Sequence, residues 1–413
     1  MLITFKRSGL LRLPVFITLA FALCFNAPTT SRAGRQQDSI QQTQRPRRVG
    51  SEEQKKQTGA PAPSSSPDEV DEGDVVRVDT QLVSVPAVVT DGTGHPLSNL
   101  KAENFQLLED GQVQKITNFG TTDAPFEIAL LLDTSGSTRE DVGLIRDAAN
   151  SFIAALRPGD RVGVVAFNSA QTEKEPIATV EVLSELTSDR QSLTNAIGNI
   201  GSSNGTPYYD ALEKVADTIF KQPATDQVRR RAVVALTDGV DSQSNSDFGT
   251  AKLKLSRAGI ACYFIQVNTE DFVEDRLMKD CEDDGRLKLS QRQLQRYRQL
   301  FTPKAKPEDY QDFCKMGQFE KMSISRELYN LARSEMNNLA KTSGGRSFIA
   351  ADLSDARSAF ARVAADIGTL YSLGYYPTNK ARDGKFRAIQ LQVKGLKEKA
   401  QIRARDGYYA PNQ

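Results

Sequence analysis

The sequence predicts an α/β fold: a doubly wound, mostly parallel sheet flanked by helices, with a smaller β-sandwich domain formed by the segments before and after it. Three observations carry this. Between Phe126 and Ile367, apolar runs of strand length (FEIALLL, RVGVVAF, AVVALT, GIACYFIQV) are too continuous for a strand with one wet face. They alternate with amphipathic segments of helical period, such as Leu144, Ala148, Phe152 and Leu156. On either side of this unit the pattern changes to apolar–polar alternation broken by Asp-Gly and Gly-rich turns.

The elements follow in order. Val75–Gly120 reads as antiparallel β structure: VVRVDTQLVSVPAVVTD alternates, Asp91-Gly-Thr-Gly turns, and FQLLEDGQVQKITNF is strand, Asp-Gly turn, strand. Strands are then expected at Phe126–Leu132, Arg161–Phe167, Ala232–Thr237, Ile260–Val267 and Arg346–Ile349. Helices are expected at Glu140–Leu156, Arg190–Ile200, Pro207–Phe220, Asp247–Ala258, Glu327–Lys341 and Ser354–Ile367, the first stopped by Pro158-Gly159. Residues 270–323 interrupt the alternation. They are highly charged, and Leu287, Leu294, Tyr297 and Phe301 mark one helix in what reads as a helical insertion after a strand. Such an insertion either lines a site or decorates the sheet edge, and the sequence leaves both open. The last segment offers three strands, LYSLGYYPT, KFRAIQLQV and AQIRARDGYYA. Pairing these with the first β segment gives the sandwich, with short connections.

The domain organisation is therefore a signal peptide (1–33), a disordered linker (34–74), the N-terminal segment of the sandwich (75–122), the α/β domain (123–368) and the C-terminal segment of the sandwich (369–413). Lys6, Arg7 and Arg12 precede the apolar segment Leu13–Phe25, and Ser31-Arg-Ala33 supplies a cleavage site after Ala33. The apolar segment is short for a membrane span. A lipid anchor at Cys24 is disfavoured by Leu23 before it. Export to the periplasm or the extracellular space is the expectation. Residues after Ala33 are rich in Gln, Ser, Pro, Arg and Lys and cannot bury enough surface to offset their ordering entropy.

Composition excludes much chemistry. The 413 residues carry a net charge of +1, so no nucleic acid or acidic membrane surface is expected as partner. One histidine, His95, sits in the turn-like DGTGHPL. A Ser-His-Asp triad, a Cys-His pair or a His-rich zinc site cannot be built from one imidazole. No GxxxxGK[ST] or His-Glu-x-x-His occurs, and the chain is expected not to be an enzyme. After signal removal three cysteines remain. Cys262 lies in an apolar run and reads as a buried small residue. Cys281 and Cys314 lie in the charged insertion and are the expected disulfide pair in an oxidising compartment.

The chemistry concentrates at strand ends. Phe126–Leu132 stops abruptly in Asp133-Thr-Ser135-Gly-Ser137. A carboxylate and two hydroxyls beyond a parallel strand suit a hard cation that takes oxygen ligands. Thr206 precedes Pro207 at a helix start, and Asp238 follows the strand AVVALT. Locally, Ser137-Thr-Arg-Glu140 also fits a capping box, and Asp133 and Asp238 fit turns.

Taken together, Asp133, Ser135, Ser137, Thr206 and Asp238, with the flanks NGTPYYDAL and ALTDGVDS, resemble the von Willebrand factor type A domain over roughly residues 125–368. The terminal β segments resemble bacterial exported proteins that carry this domain. The resemblance implies a VWFA/Rossmann-like sheet and a metal ion-dependent adhesion site holding Mg²⁺, with Mn²⁺ or Ca²⁺ as alternatives. Ser135 and Ser137 would ligate directly, Thr206 directly or through water, and Asp133 and Asp238 mainly through water. A protein ligand would donate a carboxylate to the open position. Tyr208 and Tyr209 are candidates for an aromatic rim for that partner, but the start of a helix facing a sheet is partly buried, which favours core packing of at least one. The alternative to ligand capture is a structural scaffold of an envelope complex whose metal only orders loops.

Overall fold

The structure is a computed structural model that describes residues 82–136, 138, 141–170, 177–221, 230–277, 288–396 and 400–412. The signal and linker segments, Ser137 and Cys281 lie outside the described residues.

The central sheet has six strands: β5 (Phe126–Leu132), β6 (Arg161–Ala170), β7 (Ile177–Thr187), β8 (Arg230–Thr237), β9 (Ala261–Val267) and β10 (Arg346–Ala350). Their order is β10-β9-β8-β5-β6-β7, parallel except for β7, which runs antiparallel to β6. All seven residues of β5 and all eight of β8 are buried. Side chains alternate along a strand, so a strand covered on both sides must be apolar at every position. In β5 the odd and even positions serve different cores. Ile128, Leu130 and Leu132 pack with α1 (Val142–Ala155), α2 (Arg190–Gly198) and α8 (Ala356–Ile367). Ala129 and Leu131 pack with α3 (Tyr208–Lys214), α4 (Phe248–Arg257) and the end of α7 (Gln318–Ser343).

Two four-stranded antiparallel sheets form the sandwich. The remaining strands are β1 (Val83–Thr90), β2 (Phe105–Glu109), β3 (Gln112–Gln114), β4 (Ile116–Gly120), β11 (Tyr371–Tyr375), β12 (Phe386–Val393), β13 (Gln401–Ala404) and β14 (Gly407–Tyr409). One sheet runs β13-β1-β11-β4 and the other β14-β12-β2-β3. Strands from before and after the α/β unit are thus neighbours: β11 lies between β1 and β4, and β12 pairs with β2. Val83, Val85, Ala87 and Val89, alternate residues of β1, face one core with Leu107, Tyr371, Leu373 and Tyr375. Glu109 is buried there and accepts hydrogen bonds from the phenols of Tyr375 (2.6 Å) and Tyr408 (3.0 Å).

Four expectations change. The edge strand β7, IATVEVLSELT, was not anticipated; its residues are half-buried or exposed, so it lacks the apolar run that marks its neighbours. The last strand candidate is two strands in two sheets, parted at Arg405-Asp406. Residues 270–323 hold more than one helix: α5 (Glu270–Leu277) and α6 (Gln291–Phe301) are followed by the first turns of α7. And α7 begins at Gln318 rather than Glu327, because its polar-looking first half buries Ile324 and Leu328 in the insertion's own core with Leu277, Leu294 and Phe313. Arg326 pairs with Glu274 at 2.7 Å between α7 and α5.

Candidate metal centre

Strand β5 passes on to β6 on one side, whereas β8 lies on its other side, so the chain reverses its winding between β5 and β8. Ligands of open α/β sheets bind beyond the strand ends at such a point. Asp133 follows the last residue of β5 and Asp238 the last residue of β8.

Asp133 is fully buried. Its backbone N–H donates to Leu236 O (3.0 Å), which ties the two strand ends together. One carboxylate oxygen accepts from the Ser135 N–H (3.0 Å) and the other from Thr237 Oγ1 (2.6 Å). Burial, and then the charge of Asp238, push its carboxyl up to about 7. The groups that act on it are Asp238, Ser135 and Thr237, none of them a cation. Two carboxylates sharing a dry corner hold on to a proton unless a cation takes its place.

Asp238 is also buried, and is held twice: Oδ1 accepts from the Val240 N–H (3.0 Å) and Oδ2 from Thr269 Oγ1 (2.7 Å). The Thr269 hydroxyl in turn meets the Tyr329 phenol at 2.8 Å, linking the loop to α7. Gly239 has φ +73°, and a Cβ there would lie 2.7 Å from Met336 Cε. Only glycine fits directly behind Asp238.

Thr206 stands before Pro207, the residue that precedes α3, and its N–H donates to Ser242 Oγ (2.8 Å). Asp241 accepts from the Tyr208 N–H (2.9 Å), satisfying a donor at the start of α3. Burial pushes the Asp241 carboxyl up to about 6.

Ser135, Thr206 and Asp238 line one cavity of about 110 Å³. Val273, Leu277, Leu289 and Leu328 also line it, with Lys288 and Gln293. The insertion therefore lines the site rather than decorating the edge. It is pinned there: Ser290 Oγ donates to Ser242 O (2.6 Å), Arg292 donates to Gln243 O (2.9 Å), Ser244 O and Asn245 Oδ1 (2.8 Å), and all four acceptors lie in the loop after Asp238.

The donor set fits a hard dication: hydroxyl and carboxylate oxygens, and no thiolate or imidazole. Among the described residues no group of three or more His, Cys, Asp or Glu side chains could hold a metal, so a centre here depends on hydroxyls beside its two carboxylates. Ser137 lies outside the described residues.

Tyr208 and Tyr209 are not a rim. Both are buried in the core beneath α3, 1% and 2% exposed, with ring centroids 5.5 Å apart. The first turn of α3 faces the sheet, and two rings there are worth more in the core than in water. Tyr209 donates its phenol to Glu335 (2.7 Å) under the guanidinium of Arg296. His95 is an exposed turn residue whose N–H donates to Asp91 (2.9 Å). Cys262 is free and buried. Cys314 sits in a short turn of 3-10 helix, Phe313–Lys315.

Reading the sequence missed Thr237, Ser242, Asp241, Thr269 and Tyr329. The first three stand in the segment ALTDGVDS, but their partners are remote in sequence. Thr269 and Tyr329 carry no local signal.

Residues 128–240 match the family model of the von Willebrand factor type A domain. This segment is a von Willebrand factor type A domain. No curated protein matches the chain. Among solved structures, the chain is similar to an aerotolerance-related membrane protein from Bacteroides fragilis, at 16% identity over 58% of this chain and 98% of that one, with a TM-score of 0.35. A von Willebrand factor type A protein from Catenulispora acidiphila is 14% identical over 81% of this chain and 75% of that one, with a TM-score of 0.37. The mussel byssus proximal thread matrix protein 1, solved with zinc in its adhesion motif, is 13% identical over 59% and 48%, with a TM-score of 0.34. Among the described residues, no helix is long and apolar enough to cross a membrane.

Proposed function

We propose that the protein is an exported, non-enzymatic binding protein that captures a protein ligand through Mg²⁺ held by Asp133, Ser135, Ser137, Thr206 and Asp238. The reading is supported above all by one arrangement: Ser135, Thr206 and Asp238 from three loops line a single cavity, with the buried Asp133 carboxylate within electrostatic reach of Asp238. Ser135 and Thr206 would offer hydroxyl oxygens to the ion. Asp133 and Asp238, each fixed by hydroxyl and amide donors, would balance its charge. With the two carboxylates acting mainly through water, the ion would keep a coordination position open to an incoming acid, which is the chemistry the metal supplies. Mn²⁺ or Ca²⁺ would serve by the same oxygens.

Capture from an envelope extract tests this. Binding in Mg²⁺ that is lost in EDTA and in Asp133→Ala, with the variant still folded by circular dichroism, supports it; equal capture under all three conditions rejects it. Calorimetric titration with Mg²⁺ or Mn²⁺ comes first.

A second reading, a scaffold whose metal only orders loops, draws on the clamp by Ser290 and Arg292, which already fixes the loop after Asp238. It predicts capture that survives EDTA.

A further inference from the structure

The cavity at the strand ends has two unlike walls. One is the oxygen-rich cradle of Ser135, Thr206 and Asp238; the other is aliphatic, from Val273, Leu277 and Leu289 of the insertion and Leu328 of α7. On α7, Ser325, Leu328 and Tyr329 stand at helical spacing and line the same space. Tyr329 is spoken for by Thr269. Ser325 is different: it is 1% exposed, and its hydroxyl has no hydrogen-bond partner. A buried hydroxyl without a partner is costly and is expected to find one in a ligand. Lys288, exposed beside the cavity, adds a positive charge. The free space, about 110 Å³, is of the order of the roughly 150 Å³ that hosts a benzene ring in an engineered apolar cavity, and matches one aliphatic side chain.

We propose that this cavity receives the side chain next to the metal-bound acid, so that the site selects a peptide segment in which an acidic residue adjoins an aliphatic one of about leucine size. This rests on the metal-bridged reading above. The acid meets the cation, the aliphatic group covers Leu289 and Leu328, and Ser325 hydrogen-bonds the segment's polar backbone. Lys288 favours an acidic segment over a neutral or basic one.

Fluorescein-labelled tetrapeptides Gly-Asp-Leu-Gly, Gly-Asp-Gly-Gly and Gly-Asn-Leu-Gly, titrated into the full chain in Mg²⁺, test it. The Asp-Leu peptide is expected to bind roughly tenfold more tightly than Asp-Gly, the effect of burying one aliphatic side chain. Leu289→Phe, which fills the cavity, should bring the two together without altering calorimetric Mg²⁺ affinity. Equal binding of Asp-Leu and Asp-Gly overturns the selectivity and leaves metal-bridged capture standing, whereas equal binding of Asp-Leu and Asn-Leu shows that the acid is not needed and overturns both. Failure of both Asp peptides to bind in Mg²⁺ overturns selectivity and capture together. The metal-free chain gives a separate readout: its Tm should hold or rise in Leu289→Phe, and a fall of several degrees would show that the space cannot take a side chain.

Discussion

Thr237 donates its hydroxyl to the carboxylate of Asp133 across the ends of two neighbouring strands, at 2.6 Å. The same hydroxyl accepts the Gly239 N–H (2.9 Å), so one side chain orients both acidic loops. Thr237→Val keeps the shape and removes the bond. It should cost about 1–3 kcal/mol in denaturant unfolding and lower Mg²⁺ affinity by roughly 10–100-fold, as for other partners of ligating groups. Unchanged calorimetric affinity would separate Thr237 from the metal centre.

Asp241 supplies a pH-dependent signature. Its folded-state carboxyl is raised from an ordinary 3.8 to about 6 by burial. The folded protein therefore holds that proton more tightly than the unfolded chain. The stability this gives is full below about pH 4 and is lost as pH rises to about 6. Asp241→Asn should flatten this section of the curve, by on the order of 2 kcal/mol between pH 4 and 7. The check is urea unfolding of both proteins across that range.

Glu127 and Arg231 form a buried pair at 3.1 Å between β5 and β8. Glu127→Gln leaves the guanidinium buried with one charge removed, and such changes cost about 3–5 kcal/mol. A fall in Tm of roughly 8 °C or more is expected by calorimetry.

Arg292 reaches from α6 to three acceptors in the loop after Asp238. Arg292→Ala should release that loop. Amide hydrogen exchange over residues 242–246 would speed by roughly tenfold or more, since each 1.4 kcal/mol of lost protection is a factor of ten. Global stability should change less than for Glu127→Gln.

The Cys281–Cys314 bond is the fifth prediction. Alkylation of the denatured, unreduced exported protein should label Cys262 alone, read by intact mass. Labelling of all three thiols rejects the bond. Where it forms, reduction should cost about 2–4 kcal/mol.

The sheet was legible because its strands are buried on both faces. Burial there leaves a continuous apolar signature, and β5 and β8 begin and end within two residues of their sequence-based bounds. Strand β7 escaped because an edge strand shares its surface with water and needs no such run. The first half of α7 escaped because its apolar positions serve a local core among charged residues. At the site, Asp133, Thr206 and Asp238 could be read because each abuts a regular element. What holds them could not. Thr269 and Tyr329 reach Asp238 from 31 and, through Thr269, a further 60 residues along the chain, and folding alone brings them together. The two tyrosines could be read both ways for a related reason: interface preference and core preference use the same residue type, and only the facing of α3 decides between them.

The strands that leave and re-enter the sandwich, β4 and β11, lie side by side, with Gly120 opposite Ser372. A pull on anything gripped at the far end of the α/β unit would therefore arrive at two adjacent anchor points rather than at opposite ends of the molecule. Arg403 and Arg405 add further ties, to Asp366 and to Ser256 O (2.6 Å), so the load would be shared between that rung-bonded pair of chains and the face of the α/β unit.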